Sequence, residues 1–259
     1  MVKQEFLKVL NSRKGKYVFC VLMIISIVDN ISGIVQSGPL GYLYNTHPAM
    51  LSLLSGQAGL IFYALFVWLL PITLMIVYCD KVIKENRTGI TRIYLSKCSR
   101  KSFFGSKILV SFFVPCVYCG IPLLTNLLIN VLFNSKGTSF FGLEQLELKD
   151  IGWFWYNSIH YPYITWFVYF LSALFVFGLL SVMCQCVSMI ANDNKTAYIV
   201  SFAVWITLFC SKYNITMIIQ PYTEYDHIYG IKALFCLLPC VLFSVLLAYI
   251  KTVVRKDEF

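Results

Sequence analysis

Charge is what this chain has least of. Only 13% of its 259 residues are charged, and six long runs are almost free of charge. They are Tyr17–Val35, Ala58–Cys79, Ile108–Phe133, Tyr163–Ile190, Ala197–Ser211 and Ala233–Ile250, and Asp29 is the only Asp, Glu, Lys or Arg inside any of them. Histidine is scarce too: His47, His160 and His227 are dispersed, with no spacing that would gather a metal. There is no His-Glu-x-x-His, and Gly105-Ser106-Lys107 lacks the upstream glycine of a phosphate loop because Arg100 stands there. These gaps argue against soluble zinc-hydrolase and nucleotide-loop chemistry, and the polar connections are too short to fold a soluble unit of their own. A helix needs about 20 apolar residues to cross a bilayer, and lipid forbids open backbone. The pattern therefore predicts an all-α integral membrane protein with six transmembrane helices in a single domain, 1–259.

What charge there is follows a plan. Of the 21 Lys and Arg residues, 17 lie in segments 1–16, 80–107, 191–196 and 251–259. The other four, Lys136, Lys149, Lys212 and Lys232, share the remaining connections. Basic residues stay on the cytoplasmic side, so both termini are expected there, with an even number of spans. The net charge of +9 is then topology plus attraction to anionic lipid, and no nucleic-acid partner is expected. The basic start and first apolar run read as an uncleaved signal anchor, because Asp29 to Gly33 is a poor cleavage site and more spans follow. Ten cysteines fall mostly in or beside the apolar runs, and none falls in 134–162. They read as small buried hydrophobes rather than a disulfide framework. Cys116 and Cys119 have redox-like spacing, but nothing nearby would activate a thiol.

Several connections carry local signals. In 1–16, Val2, Phe6, Val9 and Leu10 share a helical face away from most of the basic residues, which suits an interfacial helix. The 36–57 connection, with Gly38-Pro39 and His47-Pro48, reads as an external loop. Pro115 and Pro122 predict a kink in span three, and Ser96 and Ser99 are candidate helix caps. The external loop 134–162 carries Glu144, Glu147 and Asp150, then Trp153 to Tyr156 and Tyr161 to Tyr163, an aromatic belt at head-group level. The run Ala197–Ser211 reaches only about 22 Å against a core of about 30 Å. With the break at Pro221, it makes 213–231 an external or re-entrant element expected to close the outer mouth.

The polar stretch Asp80 to Lys107 brings a resemblance. Glu85 is followed by Gly89, then the amphipathic Ile90 to Ser96, the pair Ser99-Arg100, and Gly105-Ser106-Lys107 before span three. This order resembles the first cytoplasmic loop of ABC-2-type transporter permeases. His160-Tyr161-Pro162-Tyr163 at the entry to span four resembles small bacterial permeases of lantibiotic or bacteriocin immunity and export. Asn86-Arg87-Thr88-Gly89 departs from the Gly-Thr that the family often has directly after the acidic residue. The resemblance implies a bacterial plasma-membrane exporter subunit that binds no cofactor itself and draws work from a separate cytosolic ATPase carrying ATP and Mg. It also implies pairing with a second permease copy or paralogue. Residues 80–107 would be the coupling loop. Glu85 and Arg92 would pair with the ATPase, Ile90, Ile93 and Tyr94 would fill its groove, Gly89 would allow close approach, and Arg87 would sit among them.

Polar residues inside spans are functional candidates in lipid. Asp29, Asn30, Asn126, Asn130 and Gln185 are read as a substrate path for an amphipathic peptide, bacteriocin or lipid-like molecule; their plainer reading is helix–helix hydrogen bonding. Two other classes stay open. One is a membrane enzyme, lipid-modifying or thiol-redox, which would need clustered His, Glu or reactive Cys at one depth. The other is an immunity protein that works without an ATPase.

Overall fold

The computed structural model describes residues 2–37, 45–56, 59–140, 158–191, 193–222 and 227–254. The chain is an all-α membrane protein. Among the described residues, five helices are long and apolar enough to cross a bilayer: α2 (Arg13–Ser37), α4 (Leu60–Arg87), α6 (Arg100–Phe133), α7 (Pro162–Ile190) and a last helix running to Val254. Among these α7 is the most buried and packs most extensively against α6; α2 and the last helix are the most exposed to the surroundings. Close helix approach in lipid relies on small residues, and here Gly178 of α7 meets Phe112 of α6 while Gly120 of α6 meets Leu174 of α7.

Prolines and caps explain where the helices change. α6 divides at Cys119 into Arg100–Tyr118 and Gly120–Phe133. Pro122 then falls in the first turn of the second part, where an N–H would lack a helical partner anyway, so the ring costs little. Ser99 caps α6 by accepting from the Ser102 N–H at 3.3 Å, whereas Ser96 bonds back to the Ile93 carbonyl inside its own helix. In α4, Pro71 precedes a π turn at Met75–Cys79, and the helix resumes as Asp80–Arg87.

The amino-terminal helix α1 (Val2–Leu10) precedes α2 after a turn at Asn11 and Ser12. Its stripe differs from the expected lipid-facing one. Val9 is fully buried and Glu5 is buried beside it, while Val2 is exposed. The stripe packs on α6, where the Tyr118 hydroxyl donates to the Val9 carbonyl at 3.2 Å.

Residues 45–56, part of the connection expected as an external loop, fold into one end of the bundle as α3 (Pro48–Leu51), all four residues buried, followed by buried Leu53, Leu54 and Ser55. The physical reason is composition, since Pro48 to Leu54 is apolar and uncharged. Asn45 and His47 pair with 138–139: the His47 N–H donates to the Ser139 carbonyl at 2.8 Å, and Asn45 accepts from Thr138 and Ser139. Gly38-Pro39, Ala58, Glu144, Glu147, Asp150 and Trp153 to Tyr156 lie outside the described residues.

α8 (Asn194–Phe209) is capped by Asp193 and has 16 residues, fewer than the other long helices. The chain then folds back through α9 (Thr216–Ile219), with Ile215, Ile219 and Tyr222 buried. Gln220 donates to the Ser55 carbonyl at 2.7 Å, and the Tyr222 hydroxyl donates to the Pro162 carbonyl at 2.6 Å. The last helix, α10 (His227–Tyr249), ends in a π turn at Ile250–Val254.

Gly137 tests the outer packing, because a Cβ there would overlap the Thr46 carbonyl. Backbone cannot rotate aside as a side chain does, so Gly137→Ala is expected to cost about 1–3 kcal/mol. Thermal unfolding of the purified protein in detergent would show this as a lowered midpoint.

Candidate functional site

Two polar clusters stand out, one around the start of α6 and one toward its far end. The first is centred on Lys107, which is completely buried. Its ammonium lies 2.8 Å from Glu85 Oε2 and 3.1 Å from Glu5 Oε1. Lys81 approaches Glu5 Oε2 at 3.8 Å. The rings of Phe103 and Tyr78 lie 5.5 and 5.9 Å from the Lys107 ammonium, within cation–π range. Burial pushes the Glu5 carboxyl up, but the charge and hydrogen bond of Lys107, with Lys81 and Lys8 behind them, hold it below the ordinary carboxyl value. Three separate elements, α1, α4 and α6, are thereby pinned at one point.

The loop helix α5 (Ile90–Lys97) hangs from this point. Gly89, at φ 73°, makes the left-handed turn between α4 and α5 that side chains resist. Thr91 donates to Asn86 Oδ1 at 2.6 Å across the turn. Tyr94 turns back toward the chain, accepting from Lys8 at 2.7 Å. Ile90 and Ile93, three apart and so on one face, point outward at 40% and 59% exposure. Arg87 is exposed and the Arg92 side chain lies outside the described residues. The seven residues of the expected coupling set therefore part company. Glu85 and Tyr94 serve contacts within the chain, and the expectation that Glu85 offers its charge to a partner is corrected by its place against Lys107. Ile90 and Ile93 are the apolar surface.

The second cluster gathers three of the five in-span candidates. Asn126 of α6 donates to Asp29 Oδ2 at 2.9 Å and to the Ser26 carbonyl at 3.1 Å, while its oxygen accepts from the Leu53 N–H at 2.7 Å. Asn130 donates to the Leu51 carbonyl at 3.3 Å and to Asn126 at 3.4 Å. Asp29 is wholly buried, and its second oxygen has no hydrogen-bond partner among the described residues. Asn30 and Gln185 are buried as well, but neither joins this cluster. The asparagines thus tie the dipping segment 51–53 to α2 and α6, which is the helix-linking reading of these residues. All ten cysteines, every one within the described residues, are free thiols.

Sequence reasoning missed Glu5, Lys107 as its partner, and the outer cap built around 45–56. Glu5 did carry a signal, being the single acid among the five basic residues of 1–16 and four positions from Val9 on the apolar stripe. In the cap, Trp166 donates to Ser52 Oγ at 2.8 Å. His47 stacks on Phe140 at 5.2 Å, tilts against Tyr163 at 4.8 Å, and accepts from the Ala49 N–H. Burial pushes the His47 imidazole down to about 4.

Two measurements follow from these sites. Lys107→Met leaves two buried carboxylates without their cation and should cost about 3–5 kcal/mol. Adding Glu5→Gln and Glu85→Gln should restore most of the loss in detergent unfolding. The His47 effect has a definite sign. The unfolded imidazole binds a proton below about 6.5 and the folded one resists until about 4, so stability present above that window falls as pH drops through it. His47→Asn puts an oxygen in place of the capping Nδ1 and should flatten the decline in unfolding temperature between pH 6.5 and 4.

The chain is similar to, and a distant homologue of, the uncharacterized protein YybM of Bacillus subtilis (strain 168). The two are 26% identical over 227 residues, which covers 87% of this chain and 88% of the other. No family model matches the chain, and no solved structure matches it.

Proposed function

We propose that this protein is the membrane-spanning permease subunit of an ATP-driven exporter in a bacterial plasma membrane. It works with a separate cytosolic ATPase and a second permease copy or paralogue, and it moves an amphipathic peptide, bacteriocin or lipid-like substrate. In this reading α8 is the sixth span, short at about 24 Å, with 210–222 folded over its outer end, and both termini are cytoplasmic. ATP and Mg belong to the partner. The bacterial homologue and the multi-pass architecture agree with this assignment.

The observation that carries the proposal is α5. It is a short helix with two isoleucines facing outward, hung after a left-handed glycine and braced by buried charges at its root. An apolar pair on a polar cytoplasmic loop suits an apolar groove on a partner. Lys84 is exposed nearby, on the last turn of α4, which favours an acidic rim around that groove. The brace would let a push on α5 reach α1, α4 and α6 together instead of dissipating in a loop. The Asp29–Asn126–Asn130 cluster would then lie on the moving side of the substrate path.

The test co-expresses the permease with a cytosolic ATP-binding-cassette ATPase from the same genome, one from a neighbouring gene where such a gene exists. Ile90→Asp with Ile93→Asp should leave the membrane content of permease unchanged and reduce recovered ATPase at least tenfold, equivalent to about 1.4 kcal/mol of binding. Unchanged recovery with the double variant would leave α5 a topological spacer, and no ATPase bound by the parent protein would remove the exporter reading altogether.

A further inference from the structure

A cleft of about 600 Å³ lies between α7, α8 and α10, away from both clusters described above. Its walls are paired positions four apart on three helices: Met183 and Val187, Val200 and Val204, Phe243 and Leu247. Such pairs line up along a helix, so the cleft runs lengthwise. From Thr196 to Val204 it covers about 12 Å, close to one leaflet of a core about 30 Å thick. Val200, Phe243 and Leu247 are exposed, leaving its side open to the surroundings. Ser244, the polar residue at depth, already donates to the Val241 carbonyl.

The other polar lining, Asp193 and Thr196, collects at one end, on the 191–196 connection that the basic-residue pattern assigns to the cytoplasmic surface. Asp193 is half-exposed there. Its bond from Thr196 holds the carboxyl below the ordinary range, and the nearby charges of Arg87 and Lys195 act in the same direction. One anion, Asp193, thus lines the polar end of a long apolar slot, and Arg87 and Lys195 are near enough for their charges to act on its carboxyl. A headgroup carrying both an ammonium and a phosphate complements that arrangement; an anionic headgroup without an ammonium leaves Asp193 facing like charge.

We propose that this cleft binds an ethanolamine phospholipid of the cytoplasmic leaflet, with one acyl chain between α8 and α10 and the headgroup ammonium on Asp193. The site needs no ATPase, so it stands or falls separately from the exporter reading.

The experiment uses the full chain alone, reconstituted in vesicles containing either phosphatidylethanolamine or phosphatidylglycerol with a photoactivatable group on one acyl chain. Labelled peptides are then mapped. Label is expected on 196–204 and 240–247, at least threefold stronger with the ethanolamine lipid. Asp193→Asn keeps the helix cap while removing the charge, and it should bring the two lipids to equal labelling. Val200→Phe with Val204→Phe should fill the slot and reduce label there at least fivefold, with gel filtration confirming a folded protein. If that pair fails to fold, the Asp193→Asn comparison decides alone. Label confined to other segments, equal labelling of the parent by both lipids, or cross-links between two copies through α8 and α10 would each overturn the proposal.

Discussion

A lysine removed from water between two carboxylates organises the end of the bundle where α1, α4 and α6 meet. Lys107 has no exposed side-chain surface, and Glu5 and Glu85 have little. The desolvation of such groups is offset only when geometry and hydrogen bonding are good, so their worth is specificity more than stability. Here the specificity is spatial. A carboxylate from the amino-terminal helix and one from the end of α4 must both reach the base of α6, which leaves one arrangement for α1 and for the root of α5. The rings of Phe103 and Tyr78 complete the enclosure.

The opposite end of the bundle obeys a different constraint. A segment that leaves helical structure within the bundle must have its backbone groups satisfied by protein. Residues 51–55 meet this requirement with side chains drawn from elsewhere: Asn126 and Asn130 from α6 and Gln220 from the fold-back after α8. The polar residues of the spans are thus what allows a mostly apolar segment to fold into the bundle end. Asp29 joins the same system through Asn126.

How far this was legible in the sequence depends on distance along the chain. The long spans were readable because in lipid an apolar run and a position in the bilayer are nearly the same information. The division of α6 between Pro115 and Pro122 was readable because a missing N–H is a local fact. Glu5, Lys107 and Glu85 were not, since their pairings cross 102 and 22 positions and no local pattern joins them. The 36–57 connection was read as a loop from its Gly-Pro and His-Pro signals, and the burial of Pro48 to Leu54 within it was not foreseen, because it depends on partners far along the chain. Ile90, Ile93 and Tyr94 are spaced for one helical face, but that spacing could not tell that Tyr94 turns to Lys8 while Ile90 and Ile93 stay exposed.

The π turn at Met75–Cys79 has a bearing on how this chain could vary. A π turn accommodates one more residue than an α-helix would over the same stretch, and each residue rotates a helix by about 100°. Everything beyond it is therefore re-phased relative to the transmembrane part of α4, and it is in that new phase that Glu85 meets Lys107. Loss of a single residue from 75–79 would heal the helix into regular geometry with Glu85 in the same phase, whereas all the residues wound as a regular α-helix would swing its carboxylate about 100° from its cation. The reading frame of this fold, in the helical sense, is kept by its least regular turn.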